Sequence, residues 1–299
     1  MKQTLATISS NVEIIPGVHL MWIEAPDIAM AARPGQFITV RCGDLTLRRP
    51  FSIHQVGSSN VTASDLPAKA WQAGAKQSQF AILFRVAGKG TLWLSQRQED
   101  ERIDILGPLG KGFTVAPESK NLLLVAGGLG IAPLVCLAQQ ASPQHQVILL
   151  HGVSTAAQLY PFSLVDGKKR NRLPPLPNGV QFIHITEDGS MGKKGMATEI
   201  LPQFLDWADQ VHACGPVAMY KAIALSLNHS PLKGEKKGEG EKRSKLKPKK
   251  CQVSLEVRMG CGFGACYGCT INTKKGLKQV CRDGPVFELD DIIWQEVKI

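Results

Sequence analysis

Residues 121–154 read NLLLVAGGLGIAPLVCLAQQASPQHQVILLHGVS. A continuous apolar run, NLLLVAGG, passes through a glycine turn into IAPLVCLAQQA, whose apolar residues recur at helical spacing. A second apolar run, QVILLHGVS, follows. Strands that are apolar on both faces and alternate with helices predict a parallel sheet covered on both sides. Two further strands, VQFIHIT and ADQVHACG, and helices over Met196–Phe204 and Val217–Leu227 continue the pattern, so residues 119–228 are expected to form one α/β domain.

Within that domain Gly127, Gly128 and Gly130 form the turn between first strand and first helix. A helix N-terminus placed there presents free N–H groups and a positive dipole end to a pyrophosphate. The spacing is not G-x-G-x-x-G, and a helix packed closely on a strand would leave the same glycines. A second feature is ACGPVAMYKAI at Ala213–Ile223, which sets a cysteine, a glycine and a proline at a strand end. Cys214 also fits an ordinary buried strand cysteine.

Working outward toward the N-terminus, residues 1–115 are β-rich. Short runs such as QFITVRC, FSIHQV, FAILFRV and RIDILGP recur between Gly, Pro and Ser turns, the signature of a small antiparallel barrel. A Ser/Ala/Gln-rich stretch, 58–79, is expected to be a long hairpin loop. LRRPFSI at Leu47–Ile53 groups Arg49, Pro50, Phe51 and Ser52. A guanidinium can fork onto a pyrophosphate, an aromatic ring can pack on a flavin, and a hydroxyl can bond its N5. Taken alone this run is short. LFRVAGKGT at Leu83–Thr91 adds Arg85 and a glycine turn whose N–H groups suit a phosphate. GPLGKGF at Gly107–Phe113 closes the barrel.

Toward the C-terminus, Met259–Cys281 reads MGCGFGACYGCTINTKKGLKQVC: Cys261-x4-Cys266-x2-Cys269, then eleven residues, then Cys281. This is the plant-type [2Fe–2S] spacing. Three close thiolates must wrap one side of a cluster, and Gly260, Gly262, Gly264 and Gly268 permit the tight loop. TINTKKGLKQV supplies a hairpin, turning near Lys275-Gly276, that returns the fourth ligand. A structural zinc site is the other chemistry that four thiolates offer, but zinc ribbons repeat paired C-x2-C knuckles and only one such pair occurs here. Cys42, Cys136 and Cys251 stand outside the spacing.

The chain has 299 residues, enough for two domains and a small appendage. Its net charge is +10, yet residues 229–250 hold nine Lys or Arg against three Glu and so carry +6 of it. That segment is poor in apolar residues and in aromatics. It reads as a solvated linker and not as a nucleic-acid-binding arm. No run approaches the roughly 18 apolar residues of a membrane helix, and the first residues lack the apolar core of a signal peptide. A cytoplasmic protein without nucleic-acid or membrane partners is expected, in which crowded cysteines serve a cluster and not disulfides.

In these motifs the chain resembles the ferredoxin-reductase family: a flavin barrel with R-x-[YF]-S, a G-P-x-G-x-x-F connector, then a nucleotide domain. The resemblance implies FAD contacts at Arg49, Pro50, Phe51 and Ser52, at Leu83, Phe84 and Arg85, and at Gly90 and Thr91. It places Cys214, Gly215 and Pro216 beside a nicotinamide. No Arg pair follows the second strand of the domain, which favours NAD over NADP. CGFGACYGC…VCRDGPVF (Cys261–Phe287), TEDGSMGKKG (Thr186–Gly195) and RPFSI are similar to the family of dihydroorotate dehydrogenase B electron-transfer subunits. The expected class is therefore mixed β and α/β, in four parts. These are an antiparallel FAD-binding β-barrel (1–115), a parallel-sheet NAD-binding domain (119–228), a basic flexible linker (229–250) and a small [2Fe–2S] module (251–299). That family passes electrons between NAD(H), FAD and the cluster. Its partner is an FMN-containing dihydroorotate dehydrogenase catalytic subunit, joined in a heterotetramer, in pyrimidine biosynthesis. Two other readings stand: a subunit of a ferredoxin:NADP, sulfide or hydrogenase complex, and a four-thiolate zinc protein with a basic arm.

Overall fold

The computed structural model describes residues 1–57, 77–142, 144–161, 179–227 and 249–297. The hairpin loop expected at 58–79, the Lys-, Arg- and Pro-rich stretch 166–178, whose composition predicts a loop, and the linker expected at 229–250 fall outside these residues, apart from 77–79 and 249–250.

The chain opens with β1 (Lys2–Ile15) and β2 (Val18–Glu24), joined in a hairpin at Pro16-Gly17. After α1 (Pro26–Ala31) come β3 (Phe37–Val40), β4 (Arg49–Gly57) and β5 (Gln79–Arg85). Next are α2 (Lys89–Ser95) and β6 (Arg102–Leu109). The six strands close into a barrel in the order β1-β2-β5-β4-β3-β6, and β6 returns antiparallel to β1. Closure follows from period-two alternation: along β6 the buried residues are Ile103, Ile105, Gly107 and Leu109, every second position. The barrel interior is filled by aliphatics and by Phe51, Phe80 and Phe84.

The second unit runs β7 (Asn121–Gly127), α3 (Ile131–Ala141), β8 (Gln146–Val153), β9 (Val180–Thr186) and β10 (Lys193–Lys194). It continues with α4 (Ala197–Ile200), α5 (Pro202–Leu205), β11 (Gln210–Cys214) and α6 (Val217–Ser226). The helix expected over Met196–Phe204 is thus split, because Pro202 has no N–H to continue the ladder. β7 is central and parallel to both β8 and β11. Its residues 122–126 are all buried, as a strand covered on both faces must be.

The last part holds β12 (Lys250–Ser254), the hairpin β13 (Thr270–Thr273) and β14 (Gly276–Gln279), then α7 (Val280–Asp283) and β15 (Val286–Glu288). It begins and ends inside the second sheet, whose order is β10-β9-β8-β7-β11-β12-β15. β12 lies parallel to β11 with Cys251 opposite Val211, and β15 runs antiparallel to β12. The Cys/Gly stretch is therefore looped out between the edge strand β15 and its hydrogen-bonded neighbour β12. Among the described residues no helix is long and apolar enough to cross a membrane.

Candidate functional site

The cysteine loop is built from left-handed and close-packed positions. Gly262 and Gly264 sit at φ +81° and +95°, and Tyr267 at +58°. This coil turns N–H groups onto sulfur. Ala265 N and Cys266 N donate to Cys261 Sγ (3.2 and 3.4 Å), while Cys261 N and Gly268 N donate to Cys266 Sγ (3.4 and 3.5 Å). The hairpin expected over TINTKKGLKQV forms, with Thr273 opposite Gly276. It delivers Cys281 on α7 against Cys269, whose Sγ accepts from Cys281 N at 3.4 Å. Gln279 Nε2 ties the hairpin to the loop through Gly264 O (3.0 Å).

The four thiols thus stand as two pairs, Cys261 with Cys266 and Cys269 with Cys281. Among the described residues no group of three or more His, Cys, Asp or Glu is arranged to hold a single metal ion. Two sulfur pairs are what a two-iron cluster needs, one pair for each iron, and the donor set fits it. Burial pushes the Cys261 thiol up, but the N–H groups of Phe263, Cys266 and Ala265 more than offset this and hold it at about 6, near the thiolate form a ligand needs. Cys281, desolvated and beside Cys269, is pushed up to about 12. Cys266 is exposed, whereas Cys269 and Cys281 are buried.

The flavin candidates converge from two parts of the barrel. Arg49 lies across the start of α2, where a Cβ on Gly90 would stand 3.1 Å from its Nε. Its Nη1 donates to Leu47 O (2.8 Å). The expected glycine turn is the start of a helix: Gly88 is the N-cap of α2. Thr91 Oγ1 accepts from Ala87 N (2.8 Å) and Gly88 N (3.1 Å), capping α2. Pro50 lies opposite Thr39 on β3, and Ser52 opposite Phe37. Phe51 packs against Phe84 at 5.6 Å between centroids and keeps 8% of its surface exposed. The Phe84 ring stacks on His19 within the barrel.

The nucleotide candidates meet each other at atomic contact. A Cβ on Gly130 would lie 2.0 Å from Cys214 O, and one on Gly127 would lie 2.8 Å from Pro216 Cδ. Two motifs more than 80 residues apart therefore share one strand-end crevice. Gly215 N donates to the Tyr220 hydroxyl (2.9 Å), which donates to Ser254 O (2.6 Å). Burial holds the Cys214 thiol far above its usual range, so it is protonated. Between barrel and sheet a cleft brings Leu83 and Arg85 to face Gly128, Leu129, His151 and Tyr160.

Three histidines that carried no sequence assignment hold this region together. His54 on β4 donates from Nδ1 to Ala132 O (2.9 Å) in α3 and accepts at Nε2 from the Tyr160 hydroxyl (2.8 Å). His151 Nε2 donates to Gly128 O (3.1 Å) and His212 Nε2 to Thr114 O (3.3 Å). A polar residue inside an apolar strand, as in SIHQV and LLHGV, was the signal available for them. Burial, only partly opposed by these backbone bonds, lowers all three to about 4 from an ordinary 6.5. Below pH 6.5 the unfolded chain takes up protons that the native fold refuses until about pH 4, so stability is full above 6.5 and is lost on acidification through that window. Each group adds a slope of up to about 1.4 kcal/mol per pH unit. Melting followed from pH 7.5 to 4.5 should fall steeply below 6.5; a flat profile there would show the histidines are not held neutral. Asp188 and Asp209, held below the usual 3.8, act only in a more acid range.

Comparison with known proteins agrees with this geometry. A family model for the iron–sulfur cluster binding domain of dihydroorotate dehydrogenase B matches residues 256–293. The dihydroorotate dehydrogenase B (NAD(+)) electron transfer subunit of Desulforamulus reducens is 35% identical over 292 residues, covering 94% of this chain and 95% of its own. Among solved structures, the NADH-dependent reduced ferredoxin-NADP oxidoreductase superposes with a TM-score of 0.72 at 26% identity, over 98% of this chain and 91% of that one. A ferredoxin NADP+ reductase from Neisseria gonorrhoeae with bound FAD and NADP shares the fold (TM-score 0.56, 18% identity, 76% of this chain and 91% of that one). Identity at this level across nearly the whole of both chains, together with the paired cysteines and the closed barrel, means that the chain belongs to the family of dihydroorotate dehydrogenase B electron transfer subunits.

Proposed function

We propose that this chain carries electrons between NAD(H) and an FMN-containing dihydroorotate dehydrogenase catalytic subunit through its own FAD and [2Fe–2S] cluster. In this way it links orotate formation in pyrimidine biosynthesis to NAD+. The observation that carries the reading is the set of two cysteine pairs on a loop that packs against β3, the strand paired with the Arg49–Ser52 strand. When bound, FAD and the cluster supply the conversion between two-electron hydride exchange and one-electron transfer.

The chain's residues hold and orient. Cys261, Cys266, Cys269 and Cys281 bind the two irons. Arg49 and the Gly90–Thr91 end of α2 would take the FAD pyrophosphate, Pro50 and Ser52 the ring, and Leu83 and Arg85 the cleft side, with Phe51 and Phe84 packed behind them in the barrel interior. Gly127, Gly128 and Gly130 receive the nucleotide diphosphate, with Cys214, Gly215 and Pro216 at its nicotinamide end. We assign residues 1–115, 119–228 and 251–299 to FAD, NAD and the cluster, with the last integrated into the NAD sheet. The complex is a heterotetramer in the cytoplasm, a compartment that keeps buried free thiols reduced.

Arg49→Ala should weaken FAD binding by about 1.5–3 kcal/mol, the worth of a hydrogen bond to a charged group. Flavin content and affinity equal to wild type in that variant would refute the assignment. The function itself is tested by reconstitution. The loaded chain alone should oxidise NADH with dyes and leave dihydroorotate untouched; with the FMN subunit it should give NAD+-dependent orotate formation. Dihydroorotate turnover by the chain alone, or no coupled rate with both subunits loaded, would overturn the reading.

A further inference from the structure

The cluster loop meets the barrel at one tight point. Gly262, between the first and second cluster ligands, has φ +81°, and a Cβ on it would lie 2.7 Å from Thr39 Cγ2. The loop backbone is therefore as near to β3 as a residue without a side chain permits. Thr39 lies directly opposite Pro50, and Phe37 opposite Ser52, in the β3–β4 ladder. Opposite residues of an antiparallel pair share a face, so Phe37 and Thr39 stand on the same face of the sheet as Pro50 and Ser52. Phe37 packs in one apolar cluster with Cys269 and Cys281, whereas Ile38 and Phe51 fill the barrel interior. A second tie runs from Lys111 N to Gly284 O, just after α7. The Thr39 hydroxyl is buried without a hydrogen-bond partner among the described residues. It is the methyl group that meets the loop.

We propose that Thr39 is a positioning residue for electron transfer between flavin and cluster: its methyl is the stop against which Gly262 rests, and this contact fixes how far the cluster stands from the flavin strand. This rests on the assignment of FAD to the Arg49–Ser52 strand. Each NADH oxidised to NAD+ and a proton releases two electrons, which would cross this seam one at a time: the cluster would take one, a ferric iron becoming ferrous, and pass it on to the partner subunit's FMN before the second crosses.

The test uses the full chain loaded with FAD and cluster. The rate of cluster reduction by NADH is divided by NADH-to-dye turnover, so that defects in NADH binding or flavin loading cancel. Thr39→Ile puts an ethyl group in place of the buried hydroxyl beside that methyl, overpacks the face of β3 on which the loop rests, and should lower this ratio about tenfold, since displacements near 1 Å cost that much or more in positioned reactions. The magnetic coupling between the flavin radical of half-reduced protein and the reduced cluster, read by electron paramagnetic resonance, should weaken in parallel. Thr39→Val keeps the shape and should keep both readouts. Gly262→Ala should act like Thr39→Ile, and adding Thr39→Ala should restore much of the loss, a coupling that independent sites do not show. If strain at φ +81° stops Gly262→Ala from loading a cluster, the Thr39 series decides alone. An unchanged ratio and coupling in Thr39→Ile would overturn the proposal, and so would a Thr39→Val variant as impaired as Thr39→Ile. Failure of the functional reading would look different: wild type itself would show no reduction of the cluster by NADH.

Discussion

Cys266→Ser should empty the cluster site and leave the rest of the molecule standing. Cys266 is exposed and makes no core contact that folding needs, unlike Cys269 and Cys281. Its sulfur is held by two backbone N–H groups and lies in the pair that binds one iron. A serine hydroxyl does not ionise near neutral pH, so one of four anionic ligands is lost. Iron and acid-labile sulfide should fall at least about tenfold, because cluster affinity depends on every deprotonated ligand. With the partner present, dihydroorotate-dependent NAD+ reduction should disappear, while two-electron transfer from NADH to a dye persists. Cys251→Ser is the matched control: Cys251 is equally a cysteine, but it is locked in β12 opposite Val211 and stands outside the ligand spacing. It should retain the cluster. Equal iron in wild type and Cys266→Ser, or coupled turnover by a cluster-free protein, would refute both ligand and path.

Gly130→Ala should damage the nucleotide site more than any other single methyl group. The added Cβ would lie 2.0 Å from Cys214 O and 2.8 Å from Gly215 N. Both are backbone atoms of the strand-end loop, so no side chain can rotate away. The loop cannot retreat freely either, since Gly215 N is bonded to Tyr220 and Tyr220 to Ser254. Overpacking of this kind costs about 1–3 kcal/mol in stability. The loss in NAD(H) affinity should be larger, on the order of a hundredfold, because helix α3 and the Cys214–Pro216 loop are pushed apart at the point where both face the ligand. Titration calorimetry with NAD+ and a thermal melt separate the two effects. An affinity within a factor of about three of wild type would show that the nucleotide does not enter between these motifs.

Some of this was legible in the chain alone because the physics is local. The cluster ligands lie within 21 residues, and the glycines that let the loop coil sit between them. The hairpin that returns Cys281, the alternation that closes β6 into a barrel and the unbroken apolar runs of β7 and β8 are set by neighbours a few residues apart. Even so, α2 was read only as a turn: it spans seven residues, too few for helical periodicity to show, and Thr91 capping decides its start. Pro202 likewise cut a helix that apolar spacing had drawn through it.

What only the tertiary structure decided is which pieces touch. Arg49 with Gly90, Gly130 with Cys214, His54 with Tyr160 and Gly262 with Thr39 join residues 41 to 223 positions apart. Cys251 followed a basic segment and gave no local sign of belonging to the nucleotide sheet, yet it pairs there because β11 left an edge to be covered. Spacing along the chain fixes the chemistry of each motif, since ligands and turns need only near neighbours. The distances between motifs are fixed by how sheets and barrel pack, and packing sums contacts that no short window of sequence contains.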